Sequence, residues 1–156
     1  MSSETEKAQE IDHRKIAASL FNKTWDLLEK GRNSDEDDLM ISMSHASLYH
    51  WKVVGGKKQE ATGNWIISRV YSTLKMPESA IYHGERCLKI TETSNLGSFD
   101  LGFAYESLSR AYLVSGNKEV SSKYLKLALD QCSLLKEKED KEWLETNLKQ
   151  IKAFLD

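Results

Sequence analysis

Four histidines, two cysteines and two arginines in matching surroundings carry most of the chemistry this chain could perform. His45 and His50 lie in one apolar stretch, LMISMSHASLYHWKVV, from Leu39 to Val54. On a helix, a separation of five residues turns them about 140° apart, so they cannot chelate one metal from a regular helix. They read as polar residues hydrogen-bonded to neighbouring helices. The alternative is a pocket in which His45, Tyr49, His50 and Trp51 face a small molecule, joined by His83 if the second and fourth helices pack together. His83 and Cys87 stand one turn apart, the spacing of a thiolate–imidazole pair or half a zinc site. No further ligand cluster or oxyanion device accompanies them, and structural packing is the plainer reading. The acids of SDEDD, Ser34 to Asp38, suit a helix N-terminus, whose macrodipole they complement. GGKK, Gly55 to Lys58, lacks the GxxxxGK[ST] spacing of a phosphate loop and punctuates two helices instead. No catalytic residue, metal site or cofactor is expected.

Elements that position such residues must come from one domain, since 156 residues with 40% hydrophobic content suffice for one well-buried core. A net charge of −2, from 24 acidic and 22 basic residues, supplies no basic field for nucleic acid. No apolar run approaches the roughly 20 residues of a membrane span, and MSSETEKAQEIDHRK lacks the apolar centre of a signal peptide. The expectation is a cytoplasmic protein with no nucleic-acid or membrane partner. Cys87 and Cys132 form no CxxC pair and read as reduced core residues.

A single proline, eight glycines and no convincing alternation of apolar and polar residues predict an all-α protein. After a disordered start over residues 1–10, the first helix is predicted from Ile11 to Lys30, ending before Gly31. The second begins after Asn33 or Ser34 and runs to Val54. Its apolar residues cover every side of the helical wheel, so it is buried among neighbours or forms an interface. The third spans Lys58 to Leu74. Pro77 opens the fourth, which continues to Thr93. SNLGSFD then breaks the pattern. A fifth helix ends at Ser115, a sixth runs to Lys136, and a last one from Asp140 carries Leu144, Leu148, Ile151 and Leu155 on one apolar face.

The third and fourth helices repeat in the fifth and sixth. IISRVY, Ile66 to Tyr71, and SLSRAY, Ser107 to Tyr112, align at an offset of 41, matching Ser68 with Ser109, Arg69 with Arg110, Tyr71 with Tyr112 and Leu88 with Leu129. Within each copy the signature places fall on Asn64, Ile67, Ser68, Tyr71, Ala80, Gly84 and Cys87, then on Tyr105, Leu108, Ser109, Tyr112, Ser121, Leu125 and Ala128. Over residues 61–135 this spacing resembles a divergent, bacterial-type tetratricopeptide repeat (TPR), a helix–turn–helix unit of about 34 residues. Asn64 and Gly84 stand where large residues are usual, no closing proline is present, and about seven extra residues, Asn95 to Leu101, stretch the period. The resemblance implies a TPR-like α-solenoid of three antiparallel hairpins plus a C-terminal capping helix. Residues 11–54 form a degenerate leading hairpin, 58–94 and 100–136 the two repeats, and 140–155 the cap.

The resemblance also implies a function. In such arrays the first helix of each repeat lines a concave groove, which carries that role to Thr62, Trp65, Arg69, Ser72 and Thr73 and to Phe103, Glu106, Arg110, Leu113 and Val114. Arg69 and Arg110 would then grip a carboxylate-bearing protein or peptide segment through paired hydrogen bonds, with Trp65 and Phe103 giving apolar contact. Local pairing competes with this role, because Trp65–Arg69 and Glu106–Arg110 are both spaced four apart. The leading expectation is a non-enzymatic peptide-binding module. A small-molecule or catalytic domain around the second helix is the alternative, and self-association through that helix or the repeat edges, giving a homo-oligomer, is the third.

Overall fold

The computed structural model describes residues 10–156 and places seven helices in them: α1 (His13–Leu28), α2 (Ser34–Val54), α3 (Lys57–Thr73), α4 (Pro77–Thr93), α5 (Ser98–Ser115), α6 (Lys118–Ser133) and α7 (Lys138–Leu155). The disordered start expected before residue 10 lies outside the described residues. Successive helices pair as α1 with α2, α3 with α4 and α5 with α6, and α7 packs on α5 and α6. The chain is therefore all-α, and no helix among the described residues is long and apolar enough to cross a membrane.

Local signals set most helix ends. Asn33 and Glu36 form a reciprocal capping box at the start of α2. Arg32 links this start to the end of α1, donating to the Leu27 carbonyl and to Asp37, each at 2.8 Å. The acids of SDEDD thus serve the helix terminus and its neighbour. Gly55 and Gly56, both at positive φ, turn the chain from α2 into α3. Boundaries differ from expectation at both ends of α1, which falls two residues short of Ile11 and of Lys30, and at three later places. Ser98, Phe99 and Asp100 extend α5 by a turn rather than forming a loop, so part of the insert lengthens a helix while Asn95, Leu96 and Gly97 stay between helices. Meanwhile α6 stops at Ser133 and α7 begins at Lys138.

The 41-residue correspondence is physical. Ser68 donates to the Ala80 carbonyl at 2.7 Å, and Ser109 donates to the Ser121 carbonyl at 2.8 Å. Tyr71 stacks on His83 at 5.8 Å between ring centroids, and Tyr112 stacks on Tyr124 at 5.9 Å. The turns match as well. Lys75 and Gly116 both adopt left-handed backbone, with Met76 N–H donating to Tyr71 and Asn117 N–H donating to Tyr112, the closure that satisfies the last carbonyls of a helix. Gly84, where a large residue is usual, faces Leu108 of α5, whose Cδ2 would lie 2.9 Å from an added Cβ.

One interior cluster runs through Trp65, Ile66, Phe103, Ala104, Leu125, Leu144 and Leu148. Side by side, α3 and α5 form its floor, while α1 and α7 close over them: Trp25 of α1 stacks on Trp65 at 5.8 Å and meets Trp143 of α7 edge-on at 5.9 Å. The second helix carries apolar residues on every side but is not buried on every side. Met40, Ser44, Ser47 and Leu48 are buried, whereas Leu39, Tyr49 and Val53 are exposed.

Candidate functional site

The residues assigned to a peptide groove do come together, but as an interior network. Trp65, Phe103 and Glu106 are 7%, 7% and 1% exposed, too little for a peptide to touch. Glu106 accepts from Trp65 Nε1 at 2.8 Å, from Arg69 Nη1 at 3.1 Å and from Arg110 Nε at 3.0 Å. The opening above these arginines is taken by α7: Asn147 Oδ1 accepts from Arg69 at 3.1 Å, and Gln150 Oε1 accepts from both guanidinium groups. Burial draws Arg69 down to about 10; Glu106 opposes this and Arg110 reinforces it, so Arg69 stays charged at neutral pH. The local pairing of Glu106 with Arg110 is realised. Arg69, however, takes Trp25 of α1 as its aromatic partner, at 5.6 Å, rather than Trp65. Ser72 is buried and its hydroxyl has no partner among the described residues, and Leu113 is half-buried.

The second set of candidates divides. His50 turns to α1, where its Nδ1 lies 2.8 Å from Nδ1 of His13, and Trp51 sits under Arg14 at 5.8 Å. Tyr49 is 61% exposed and meets the His50 ring nearly at right angles, 5.3 Å between centroids. His45 and His83, by contrast, meet with ring centroids 5.3 Å apart because α2 and α4 both pack on α3. His45 Nε2 is 2.9 Å from the Tyr71 hydroxyl. His83 Nδ1 is 3.0 Å from Asn64 Oδ1, and the Asn64 amide nitrogen donates to the Glu60 carbonyl. That second bond fixes the amide orientation, so the proton of neutral His83 resides on Nδ1.

These rings line a cleft of about 490 Å³ between α2, α3 and α4, with Tyr82 and the long side chains of Lys52, Arg86 and Lys89 at its edge. Arg86 lies over the Tyr82 ring at 5.1 Å and donates to its hydroxyl at 3.0 Å. None of the three cations has a salt-bridge partner among the described residues, while Glu60, the acid on the same cleft, is paired with Lys57. Burial lowers His83 to about 4, helped by His45, Arg86 and Lys52, and burial likewise lowers His45. Both imidazoles are therefore neutral at pH 7, in a positively charged surround.

Cys87 does not pair with His83. Its thiol is buried, pushed up to about 12 by desolvation, and free, as is that of Cys132. Most residues that sequence reasoning missed have partners far along the chain, Asn147 and Gln150 over the arginines and Asn64 and Tyr71 beside the histidines, while Tyr82 meets only its near neighbours His83 and Arg86 among the described residues. Tyr71 and Asn64 stood at repeat positions, which marked them as packing residues and hid their polar role. A comparison with protein-family models and with curated proteins found no match to this chain.

Proposed function

We propose that the chain is a non-enzymatic interaction module, a TPR-like stack of three hairpins closed by α7, that holds an acidic peptide segment of a protein partner. The recurrence of the same side-chain bonds and turns at an offset of 41 supports the repeat reading. Burial of Glu106 between the two arginines moves the binding surface away from the expected groove. The cleft between α2, α3 and α4 takes its place. Carrying the reading is the convergence of Lys52, Arg86 and Lys89, none salt-bridged among the described residues, on a cleft roomy enough for several side chains. A carboxylate entering it meets three cations, and the acid on the same cleft, Glu60, is paired with Lys57. Tyr82 and the histidine rings add flat apolar contact.

Binding rather than catalysis is favoured by the state of His83. A base held near 4 accepts protons poorly at neutral pH, and His83 already uses Nδ1–H on Asn64. The size of the cleft also suits a small carboxylate-bearing molecule, since ligand pockets run from about 300 to 1,000 Å³. Fluorescence anisotropy of labelled Asp/Glu-rich peptides against their Asn/Gln counterparts tests the proposal. Binding is expected to fall with salt, and the triple variant Lys52→Ala/Arg86→Ala/Lys89→Ala is expected to lose it. Equal binding of the amide peptides, or an unaffected triple variant, would sink the proposal. Thermal stabilisation by small dicarboxylates without peptide binding would favour the small-molecule reading.

A further inference from the structure

On the other side of α3 lies a second cavity, of about 160 Å³, between α1, α3, α4, α5 and α7. It shares no lining residue with the cationic cleft: α3 gives Glu60 and Asn64 to one, and Ala61, Thr62 and Trp65 to the other. Five rings line it, from Phe21, Trp65, Phe99, Phe103 and Trp143. Several meet edge to face, Trp65 with Phe103 at 5.5 Å and Phe99 with Phe103 at 5.0 Å, so their faces point in different directions. The hydroxyls of Thr62 and Thr91 donate to carbonyls of their own helices and are spent. The wall is thus aromatic, with one charged group, the Asp100 carboxylate, whose side chain is 12% exposed.

We infer that this cavity is a site for a small organic ammonium group, a methylated or quaternary amine. Aromatic faces carry negative quadrupole density that attracts such cations, more strongly where water is excluded. Trp65 is enriched further because its indole N–H donates to the Glu106 carboxylate at 2.8 Å. The chain already displays this preference: Lys58 Nζ sits 2.8 Å from Asp100 Oδ2 and 5.8 Å from the centre of the Phe99 ring. Lys58 belongs to the first turn of α3 and its side chain is 58% exposed, so it can yield its place to an incoming cation. The volume matches a benzene-sized cavity of about 150 Å³, large enough for a trimethylammonium group.

Trp65 and Trp143 make intrinsic fluorescence a direct reporter. The wild-type chain is titrated with choline and with 3,3-dimethyl-1-butanol, which replaces the cationic nitrogen by carbon at nearly constant shape. Choline is expected to give a saturable change and the neutral alcohol to bind roughly tenfold more weakly. Lys58→Ala, which frees Asp100, is expected to tighten choline binding. Asp100→Asn is expected to weaken it while circular dichroism stays native. Equal binding of the alcohol would make the cavity an apolar void, no saturable change with either probe would remove the site, and insensitivity to both substitutions would refute the role of Asp100.

Discussion

Neutralising Glu106 tests the interior network most sharply. Glu106→Gln keeps the shape and leaves an oxygen for Trp65 Nε1, but removes the charge that both Arg69 and Arg110 face. With Glu106 1% exposed and the arginine side chains 14% and 17% exposed, water can replace little of what is lost. Truncating one member of a buried charge pair costs about 3–5 kcal/mol, against about 0.2–1 kcal/mol for an exposed pair. Trp65 donates to one carboxylate oxygen and both arginines to the other, so an amide that keeps its oxygen on Trp65 turns its NH2 toward the guanidinium groups, which retain Asn147 and Gln150 as acceptors. Glu106→Gln is expected to cost about 2 kcal/mol, and Glu106→Ala, which also orphans the indole N–H, about 4 kcal/mol. Urea unfolding followed by tryptophan emission reads this out. For an m-value of about 2 kcal/mol/M, Glu106→Gln lowers the midpoint by about 1 M. If Glu106→Ala fails to fold, the glutamine variant still decides. A shift below about 0.3 M would mean that the arginines are solvated as at a surface, and would restore an open groove beneath α7.

Acid should destabilise the chain through His83, which titrates near 4 when folded and near 6.5 when unfolded. The unfolded chain binds the extra proton between these values, so the contribution is full above pH 6.5 and is lost as pH falls toward 4. The gap corresponds to about 3 kcal/mol, reduced to about 1–2 kcal/mol by partial solvent screening of the half-buried ring. A melting temperature that falls over this window in wild type, and less in His83→Gln, is expected; identical pH profiles would count against it. Gly102→Ala would place a methyl 2.6 Å from Leu144 Cδ2, a buried side chain. Overpacking of about 1–3 kcal/mol should outweigh the gain in helix propensity of about 1 kcal/mol, so chemical denaturation should show a less stable protein. Lys75, at φ 59°, occupies the position that glycine holds 41 residues later. Lys75→Gly should raise stability by about 0.5–1 kcal/mol in the same assay.

Helix identity was legible because its signals are local. Pro77 at the first turn of α4, Asn33 before an acidic turn and Gly116 after Ser115 each act within a few residues. The 41-residue correspondence was legible for a related reason: two hairpins that solve the same packing problem keep the same serine and tyrosine in each. Misreadings arose where a local rule met a distant partner. SNLGSFD read as a loop, yet Phe99 and Asp100 gain enough from Phe103 and Lys58 to extend α5 upstream. His50 stood five residues from His45 in one helix, and only the docking of α1 sends it to His13.

The sequence by itself determined an all-helical chain, its hairpin pairing and the identity of its charged and aromatic residues, because periodicity, caps and turns depend on neighbours in the chain. Tertiary structure decided what those residues do. Arg69 reads as a groove residue until α7, about 80 positions later, brings Asn147 and Gln150 over it. No spacing in the chain joins Lys52 to Arg86 and Lys89, which meet at one cleft because α2 and α4 flank α3. Burial and electrostatic environment are sums over neighbours in space, and no spacing along the chain contains them.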